Sequence, residues 1–295
     1  MNDHTTPTDP AWLEVQYNNR ARVPEHVQHF ERWGRLSREA RERLVCLPDV
    51  AYGHGPRETL DIFPASRRDD QPLAPVLVFI HGGYWRSLDK SQHSFLAPAF
   101  VNQGACVVMP NYALCPSVTI PDIAVQMVRA LAWVYRNIAV HGGDPRRISI
   151  VGHSAGGHLA AMLLACDWER HAADLPEDLV NNVLSISGVF DLEPLRHTPS
   201  LQDVLRLTPE AVRMASPAWL PCVLPAEDER GVLLSVVGGN ESGEFIRQAQ
   251  LIRETWGELL VPICEVLPGL DHFTVLDALI QPRHRLHKLA LQLLT

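Results

Sequence analysis

The chain has 295 residues, of which 46% are hydrophobic and 20% are charged, a composition typical of a globular protein. Its formal net charge of −8 disfavours nucleic-acid binding, which requires a basic surface. No signal peptide is visible, and no apolar run approaches the roughly 20 residues of a membrane-spanning helix, so we expect a cytoplasmic protein without a membrane segment.

The six cysteines are widely separated and include no C-x-x-C pair. This spacing favours buried, reduced thiols over a disulfide framework or a zinc site. The sequence therefore predicts no metal and no other cofactor, and it leaves the oligomeric state open, a homodimer included.

The N-terminal segment, from about residue 11 to 46, is rich in Arg, Glu and Leu, with apolar residues at helical spacing. We expect one or two helices there, packed over the main body of the protein. Two short strands are predicted near 49–53 and 59–63, and a charged loop follows at 66–71.

Apolar, β-branched runs then alternate with helical patterns. Strands that are apolar throughout are typical of parallel strands buried on both faces, and the alternation predicts a mostly parallel sheet with helices on both faces. The predicted strands are 75–80, 105–109, 147–151, 183–187, 231–237 and 261–267, and the main predicted helices are 120–138, 157–165, 244–257 and 273–294.

One further segment, about 191–225, is rich in proline and lacks a strand pattern. We expect it to form a small helical cap over the carboxyl edge of the sheet. Because no internal repeat or linker is visible, we predict a single α/β domain spanning 1–295.

The most specific motif is G-H-S-A-G at 152–156. It lies between a predicted strand and a predicted helix, which is the context of a nucleophile elbow. Glycines permit this sharp turn, which lifts the serine hydroxyl above the sheet. We predict that Ser154 is a catalytic nucleophile; the alternative is an ordinary glycine-rich connection.

A serine hydroxyl is a weak nucleophile and requires an adjacent base that a third group orients. Where this elbow occurs, the chain order is serine, acid, histidine. That order selects His272 as the general base, because it lies in the loop after the last predicted strand. The later His284 and His287 fall within the last predicted helix, and we expect them on its surface.

The predicted acid is Glu241, in the loop after the strand 231–237. Its carboxylate would accept the imidazole N–H and stabilise the imidazolium. Asp191 and Glu244 are rival candidates, although Glu244 fits the first turn of a helix. Asp271 is disfavoured, since neighbouring side chains in a loop seldom face each other. A solvated loop charge or helix cap is the remaining interpretation of Glu241.

Attack on a carbonyl places negative charge on its oxygen, which preorganised backbone N–H groups must stabilise. The motif H-G-G-Y-W at 81–85 directly follows a predicted strand, as an oxyanion loop does. We predict an oxyanion hole formed by the N–H groups of Gly82, Gly83 and Ala155.

Four histidines near these motifs also permit a metal-site interpretation: His81, His153, His158 and His272. Against it, His153 is the variable residue of the elbow, and His158 is expected in the helix beneath the turn. We therefore predict no metal ion at the site.

With these residues in place, the chain resembles the hormone-sensitive-lipase-like branch of the α/β-hydrolases, and within it the kynurenine formamidases (arylformamidases). The resemblance extends from about residue 15 to the end, but members commonly carry Asp where this chain has Glu241. The narrower resemblance depends first on H-G-G-Y-W at 81–85, where esterases of the branch usually have a third glycine in place of the tyrosine. The other matching motifs are G-H-S-A-G-G-H at 152–158, S-G-V-F-D-L at 187–192, E-S-G-E-F-I-R-Q at 241–248, D-H-F at 271–273 and Q-Y-N-N-R at 16–20.

The resemblance implies the α/β-hydrolase fold and hydrolysis of a small molecule, N-formyl-L-kynurenine, to formate and L-kynurenine in tryptophan degradation. The alternatives are a broader short-chain carboxylesterase and a non-catalytic binding module, which the complete set of three candidate residues disfavours. Tyr84 and Trp85 are candidates to contact the substrate ring, although large aromatics near a loop often only fill the core. Asn18, Arg20 and the cap are candidates for its amino-acid end.

Overall fold

The computed structural model describes residues 8–65, 71–221 and 231–295. Most of the predicted charged loop at 66–71, the end of the predicted cap segment and Cys222 lie outside these residues.

The described residues contain one sheet of eight strands. The strands are β1 (Leu47–Ala51), β2 (Thr59–Phe63), β3 (Ala74–Ile80), β4 (Cys106–Pro110), β5 (Gly143–His153), β6 (Asn182–Ile186), β7 (Val232–Gly238) and β8 (Ile263–Leu267). Their order across the sheet is β1-β2-β4-β3-β5-β6-β7-β8. β2 pairs antiparallel with both β1 and β4, and all the pairs from β4 to β8 are parallel. The mostly parallel sheet of the prediction is confirmed.

Helices cover both faces of this sheet. They are α1 (Pro10–Tyr17), α2 (Asn19–Arg22), α3 (His26–Arg43), α4 (Ala97–Val101), α5 (Ile120–Asn137), α6 (Ala155–Leu164), α7 (Trp168–His171), α8 (Glu193–Arg196), α9 (Pro199–Leu205), α10 (Pro209–Ala215), α11 (Gly243–Trp256), α12 (Thr274–Leu279) and α13 (Arg285–Gln292). Among the residues that the structure describes, every helix is too short or too polar to cross a lipid bilayer.

The hydrophobic core is divided by the sheet into two clusters, as the side chains of β3 illustrate. Val76 and Val78 belong to one cluster, whereas Leu77 and Phe79 belong to the other, and all four are almost completely buried. Successive side chains of a strand point to opposite faces. The run is therefore apolar throughout because both faces of the strand are covered.

The Pro-rich segment after β6 forms the short helices α8, α9 and α10, each with a proline in its first turn. Proline suits this position because its missing N–H would have no intrahelical acceptor there. The prolines thus mark the starts of short helices in the segment for which the sequence predicts a helical cap.

The predicted C-terminal helix 273–294 is wrong as one continuous element. The structure has α12 and α13 instead, with Pro282 between them, where the ring removes a backbone donor and disfavours a helical residue before it. The surface position expected for His287 is also wrong: its side chain is buried, and its Nδ1 donates a hydrogen bond to the carbonyl of Leu279. His284 caps the start of α13 by accepting the N–H of Leu286.

Candidate active site

Three side chains from distant parts of the chain meet above the carboxyl edge of the sheet. Ser154 follows β5, Glu241 follows β7 and His272 follows β8. Nε2 of His272 lies 3.0 Å from Oγ of Ser154, and Nδ1 lies 2.6 Å from Oε2 of Glu241. A carboxylate only accepts hydrogen bonds, so Nδ1 carries the proton and Nε2 is free to accept from the serine.

The turn that carries Ser154 has the geometry of a nucleophile elbow. Ser154 connects β5 directly to α6 with φ 56° and ψ −119°, a conformation that L-residues rarely adopt. A Cβ atom on Gly152 would lie 2.2 Å from the carbonyl oxygen of Gly156, and one on Gly156 would lie 2.0 Å from that of Ile80. The two glycines are therefore required by close backbone packing around the serine.

Neighbouring side chains hold the His272 loop in place. Nε2 of His153 donates a 2.8 Å hydrogen bond to the His272 carbonyl, and the Phe245 ring centroid lies 4.8 Å from that of the His272 imidazole. Asp271 faces away from the imidazole, since its carboxylate accepts the N–H groups of Phe273 and Thr274 at the start of α12. His272 therefore takes its carboxylate partner from a different loop.

Glu241 is anchored through both carboxylate oxygens. Oε1 accepts hydrogen bonds from the Ser187 hydroxyl at 2.5 Å and from the Gly238 N–H at 2.8 Å, which leaves Oε2 for His272. Arg22 approaches the backbone of the same loop, with Nη2 3.4 Å from the Glu241 carbonyl oxygen. The glutamate is thus held by three separate segments of the chain.

The rival carboxylates have other partners. Glu244 lies in the first turn of α11, where it accepts the Tyr17 hydroxyl at 2.7 Å and pairs with Arg247 at 2.7 Å. Asp191 accepts the N–H of Glu193, and burial raises the pKa of its carboxyl group. Of these candidates, the structure brings only Glu241 into contact with His272.

The loop after β3 approaches the serine closely. A Cβ atom on Gly82 would lie 3.0 Å from Cβ of Ser154, and Gly83 adopts φ 112°. Tyr84 and Trp85 also have positive φ values, of 50° and 52°, which is rare for large side chains. Such strain persists only where surrounding contacts hold the backbone in place, and it occurs often at active sites.

Two hydrogen bonds supply those contacts. The Tyr84 hydroxyl donates to the carbonyl of Tyr17 at 2.6 Å, and the N–H of Cys115 donates to the carbonyl of Trp85 at 2.8 Å. Ala155, which directly follows Ser154, is the first residue of α6, so its N–H has no acceptor within the helix. The oxyanion hole formed by the N–H groups of Gly82, Gly83 and Ala155 stays a prediction.

A cleft that is partly open to solvent leads to Ser154 and His272. Its walls include the aromatic side chains of Tyr17, Phe30, Trp33, Tyr84 and Phe273 and the polar residues Asn18, Asn19, Arg20, Arg86, Ser87 and Ser200. The cleft thus offers an apolar wall and a polar rim to one ligand.

The structure separates the two aromatic residues of the oxyanion loop. Tyr84 lines the cleft, whereas the Trp85 side chain is fully buried in the core and packs edge-on against His158 at 4.9 Å between ring centroids. Trp85 is not among the residues that line the cleft. It therefore lies where it can support the loop but cannot contact a ligand in the cleft.

The histidines near the motifs do not converge on one point. His81 stacks on Tyr112, and His158 donates through Nε2 to the carbonyl of Ala215. Burial lowers the pKa of His158 to about 4 and that of His153 well below its ordinary value. Within residues 8–65, 71–221 and 231–295, no group of three or more His, Cys, Asp or Glu side chains is arranged to hold a metal ion.

Sequence reasoning missed the role of Ser187 beside Glu241. A usable signal existed, since Ser187 directly follows β6, the strand between the one that carries Ser154 and the one that precedes Glu241. The contributions of His153 and Arg22 had no such signal, because each depends on a contact between segments far apart in the chain.

Comparison with known proteins identifies the family to which this chain belongs. The BD-FAE family matches residues 60–214, which is more than half of the chain. The chain belongs to the BD-FAE family of α/β-hydrolases. This hydrolase is 30% identical to the kynurenine formamidase of Salmo salar over 260 residues, covering 86% of this chain and 84% of that protein.

Two further similarities lie within the same superfamily. Esterase LipC of Mycobacterium tuberculosis is 32% identical over 194 residues, covering 59% of this hydrolase and 47% of the esterase. A solved structure from Silicibacter sp. TM1040, with a provisional thioesterase assignment, superposes with a TM-score of 0.80 at 29% identity, covering 95% of this chain and 98% of that one.

Proposed function

We propose that this hydrolase cleaves the formamide of N-formyl-L-kynurenine to formate and L-kynurenine. The observation that carries the proposal is the end-to-end similarity to the kynurenine formamidase of Salmo salar, which covers most of both chains. Similarity to esterase LipC, by contrast, covers less than half of the esterase.

The first half of the proposed reaction is acylation of Ser154. As Nε2 of His272 accepts the hydroxyl proton, Oγ forms a bond to the formyl carbon, and the negative charge on the carbonyl oxygen is stabilised by the N–H groups of Gly82, Gly83 and Ala155. The C–N bond then breaks, and the imidazolium gives its proton to the departing aromatic amine, which leaves as L-kynurenine.

The second half regenerates the free serine. A water molecule gives a proton to His272 and attacks the formyl-enzyme, and the Ser154 ester bond breaks as the proton passes to Oγ. Formate leaves. Throughout, Glu241 keeps the proton on Nδ1 and stabilises the imidazolium, which is the role that its 2.6 Å contact with Nδ1 supports.

The shape of the site supports a small acyl group with an aromatic leaving group. Ser154 and His272 are almost completely buried, so there is little room beside them for a long acyl chain. The aromatic walls of the cleft, including Tyr84 and Phe30, provide a surface for an aryl ring.

A short-chain carboxylesterase is the second candidate, because esterase LipC shares 32% identity over the region that it matches. Both activities would use the same three side chains and differ in the fit of the cleft. The test compares kcat/KM for N-formyl-L-kynurenine and 4-nitrophenyl acetate, with Ser154→Ala as the control for background hydrolysis. A higher kcat/KM on the formamide is expected, and a large preference for the simple ester would contradict the proposal.

A further inference from the structure

Two arginine side chains border the cleft that contains Ser154, namely Arg20 and Arg86. Arg20 is held in one orientation: its Nη2 donates to the Ser87 hydroxyl at 3.0 Å, and its Cζ lies 5.6 Å from the ring centroid of Phe30. Since a guanidinium has five N–H donors, most of those of Arg20 remain available to a ligand.

The positive charge of this pair is not neutralised by ion pairing within the described residues. Neither arginine has an acidic partner there within 4.0 Å, and Arg86 donates to the Ser200 carbonyl instead. Burial and the positive charge of Arg86 lower the pKa of Arg20. Glu14 is an acidic residue near the pair, and its charge interacts with Arg86 only at long range. Its carboxylate accepts hydrogen bonds from the Ser200 N–H and the Asn18 side-chain amide instead.

Like charges held close together are unfavourable unless an anion joins them. Here both arginines line the cleft that contains Ser154 and His272, in a chain whose formal net charge is −8. A bound carboxylate would accept the free N–H groups of Arg20, in the bidentate geometry that a guanidinium favours, and would relieve the repulsion from Arg86.

Asn19, which precedes Arg20 on α2, is a further polar residue of the same cleft. It borders the cleft, is only 4% exposed, and neither its Nδ2 nor its Oδ1 has a hydrogen-bond partner among the described residues. Buried polar groups without partners are rare in folded proteins and call for an explanation such as a ligand. The polar groups of a bound amino-acid moiety would supply one.

We propose that the cleft binds a carboxylate on the leaving-group part of the substrate, with Arg20 as its direct partner. The inference rests on the proposed function and deepens it, because the leaving group of N-formyl-L-kynurenine carries an amino-acid carboxylate. Arg20 thereby determines specificity between carboxylate-bearing and uncharged substrates.

The primary test measures kcat/KM for N-formyl-L-kynurenine and for N-formylkynuramine, the analogue that lacks the carboxylate. The ratio of the two values is expected to fall roughly 10–150-fold in Arg20→Gln, the range for loss of a hydrogen bond to a charged group. The control Arg213→Gln removes the same charge from an exposed position on α10 and should leave the ratio unchanged. An unchanged ratio in Arg20→Gln would overturn the proposal.

A second substrate pair separates this inference from the formamidase assignment. If the wild-type enzyme does not cleave the formamide, the ratio is measured with 3-acetoxybenzoate and phenyl acetate, whose leaving groups differ by one carboxylate. A wild-type preference for 3-acetoxybenzoate that Arg20→Gln abolishes supports carboxylate recognition even though the formamidase proposal has failed. Equal kcat/KM values for the two esters in the wild type would overturn it.

Discussion

The Ser187 hydroxyl donates a 2.5 Å hydrogen bond to Oε1 of Glu241, the oxygen that does not face His272. The Gly238 N–H donates to the same oxygen at 2.8 Å. These two donors fix the carboxylate so that Oε2 meets Nδ1 of the imidazole. The Glu241 carboxylate is thereby held in a single orientation.

Replacing Ser187 by alanine should lower kcat about tenfold, because a hydrogen bond to a charged group contributes roughly 1.5–3 kcal/mol and only part of it bears on the transition state. KM should change little, since Ser187 does not line the cleft. Steady-state kinetics check this. The matched control is Ser185→Ala on β6, the strand that Ser187 follows, because the buried Ser185 hydroxyl has no hydrogen-bond partner among the described residues. Equal loss of kcat in both variants would assign Ser187 a merely structural role.

Replacing Ser154 by alanine should reduce kcat by a factor of about 10⁴ or more, since removal of the nucleophile leaves only binding and oxyanion stabilisation. The far-UV circular dichroism spectrum should remain that of the wild type. An organophosphonate probe should add its mass to the peptide that contains Ser154 in the wild type and to no peptide in the variant. Full turnover by the variant, or labelling at another serine, would refute the assignment.

The two neighbouring glutamates should respond differently to an isosteric change. Glu241→Gln should reduce kcat by about 10⁴, because an amide N–H facing Nδ1 favours the tautomer in which Nε2 cannot accept the serine proton. Glu244→Gln should instead reduce the free energy of unfolding by roughly 1–3 kcal/mol, since it weakens the buried contacts with Tyr17 and Arg247. Kinetics and urea unfolding of both variants distinguish the roles, and the reverse pattern would identify Glu244 as the acid.

Folding stability should decrease as the pH falls below about 6.5, the ordinary pKa of an unfolded histidine. Burial lowers the pKa of four folded-state histidines, to about 3 for His93 and about 4 for His158, with His81 and His153 also lowered. Between the folded and unfolded pKa values the unfolded chain binds more protons, so stability rises with pH up to about 6.5 and is lost below it.

Each of these histidines should contribute about 1.4 kcal/mol per pH unit within that window. Urea unfolding from pH 5 to 7.5 measures the slope. His158→Gln removes one of the four groups and should reduce the slope by about one proton, whereas the exposed control Arg213→Gln, which leaves every histidine in place, should not. A slope unaffected by His158→Gln would show that this histidine titrates normally in the folded state.

Replacing Asn19 distinguishes a role of this residue in substrate binding from a role in folding stability. Asn19→Leu keeps the branched shape of the side chain and removes two buried polar atoms that have no hydrogen-bond partner among the described residues, so the melting temperature should stay the same or rise. Since we expect the Asn19 amide to form a hydrogen bond with the bound substrate, kcat/KM for N-formyl-L-kynurenine should nevertheless fall about tenfold, as is usual for the loss of one hydrogen bond in a ligand site. A lower melting temperature with unchanged kcat/KM would instead make Asn19 a structural residue.

Local sequence patterns determined much of the architecture. The run around β3 is apolar throughout because both faces of the strand are covered, and the elbow at Ser154 needs glycine on both sides because the backbone packs within van der Waals contact there. These patterns can be seen in the local sequence, although the packing behind them involves remote segments, such as Ile80 beside Gly156. Chain order then indicated His272 and favoured Glu241 over the rivals Asp191 and Glu244, since loops after parallel strands meet at one edge of the sheet.

Only the tertiary structure decided which side chains support those three and what surrounds the cleft. The bond from Ser187 to Glu241, the contact of Arg22 with the acid loop, the burial of Trp85 and the grouping of Arg20 with Arg86 each join segments remote in sequence. Composition and periodicity report the preference of a residue for a strand, a helix or a turn. They carry no information on which distant segment lies opposite, because that is set by how the helices and loops pack on the finished sheet.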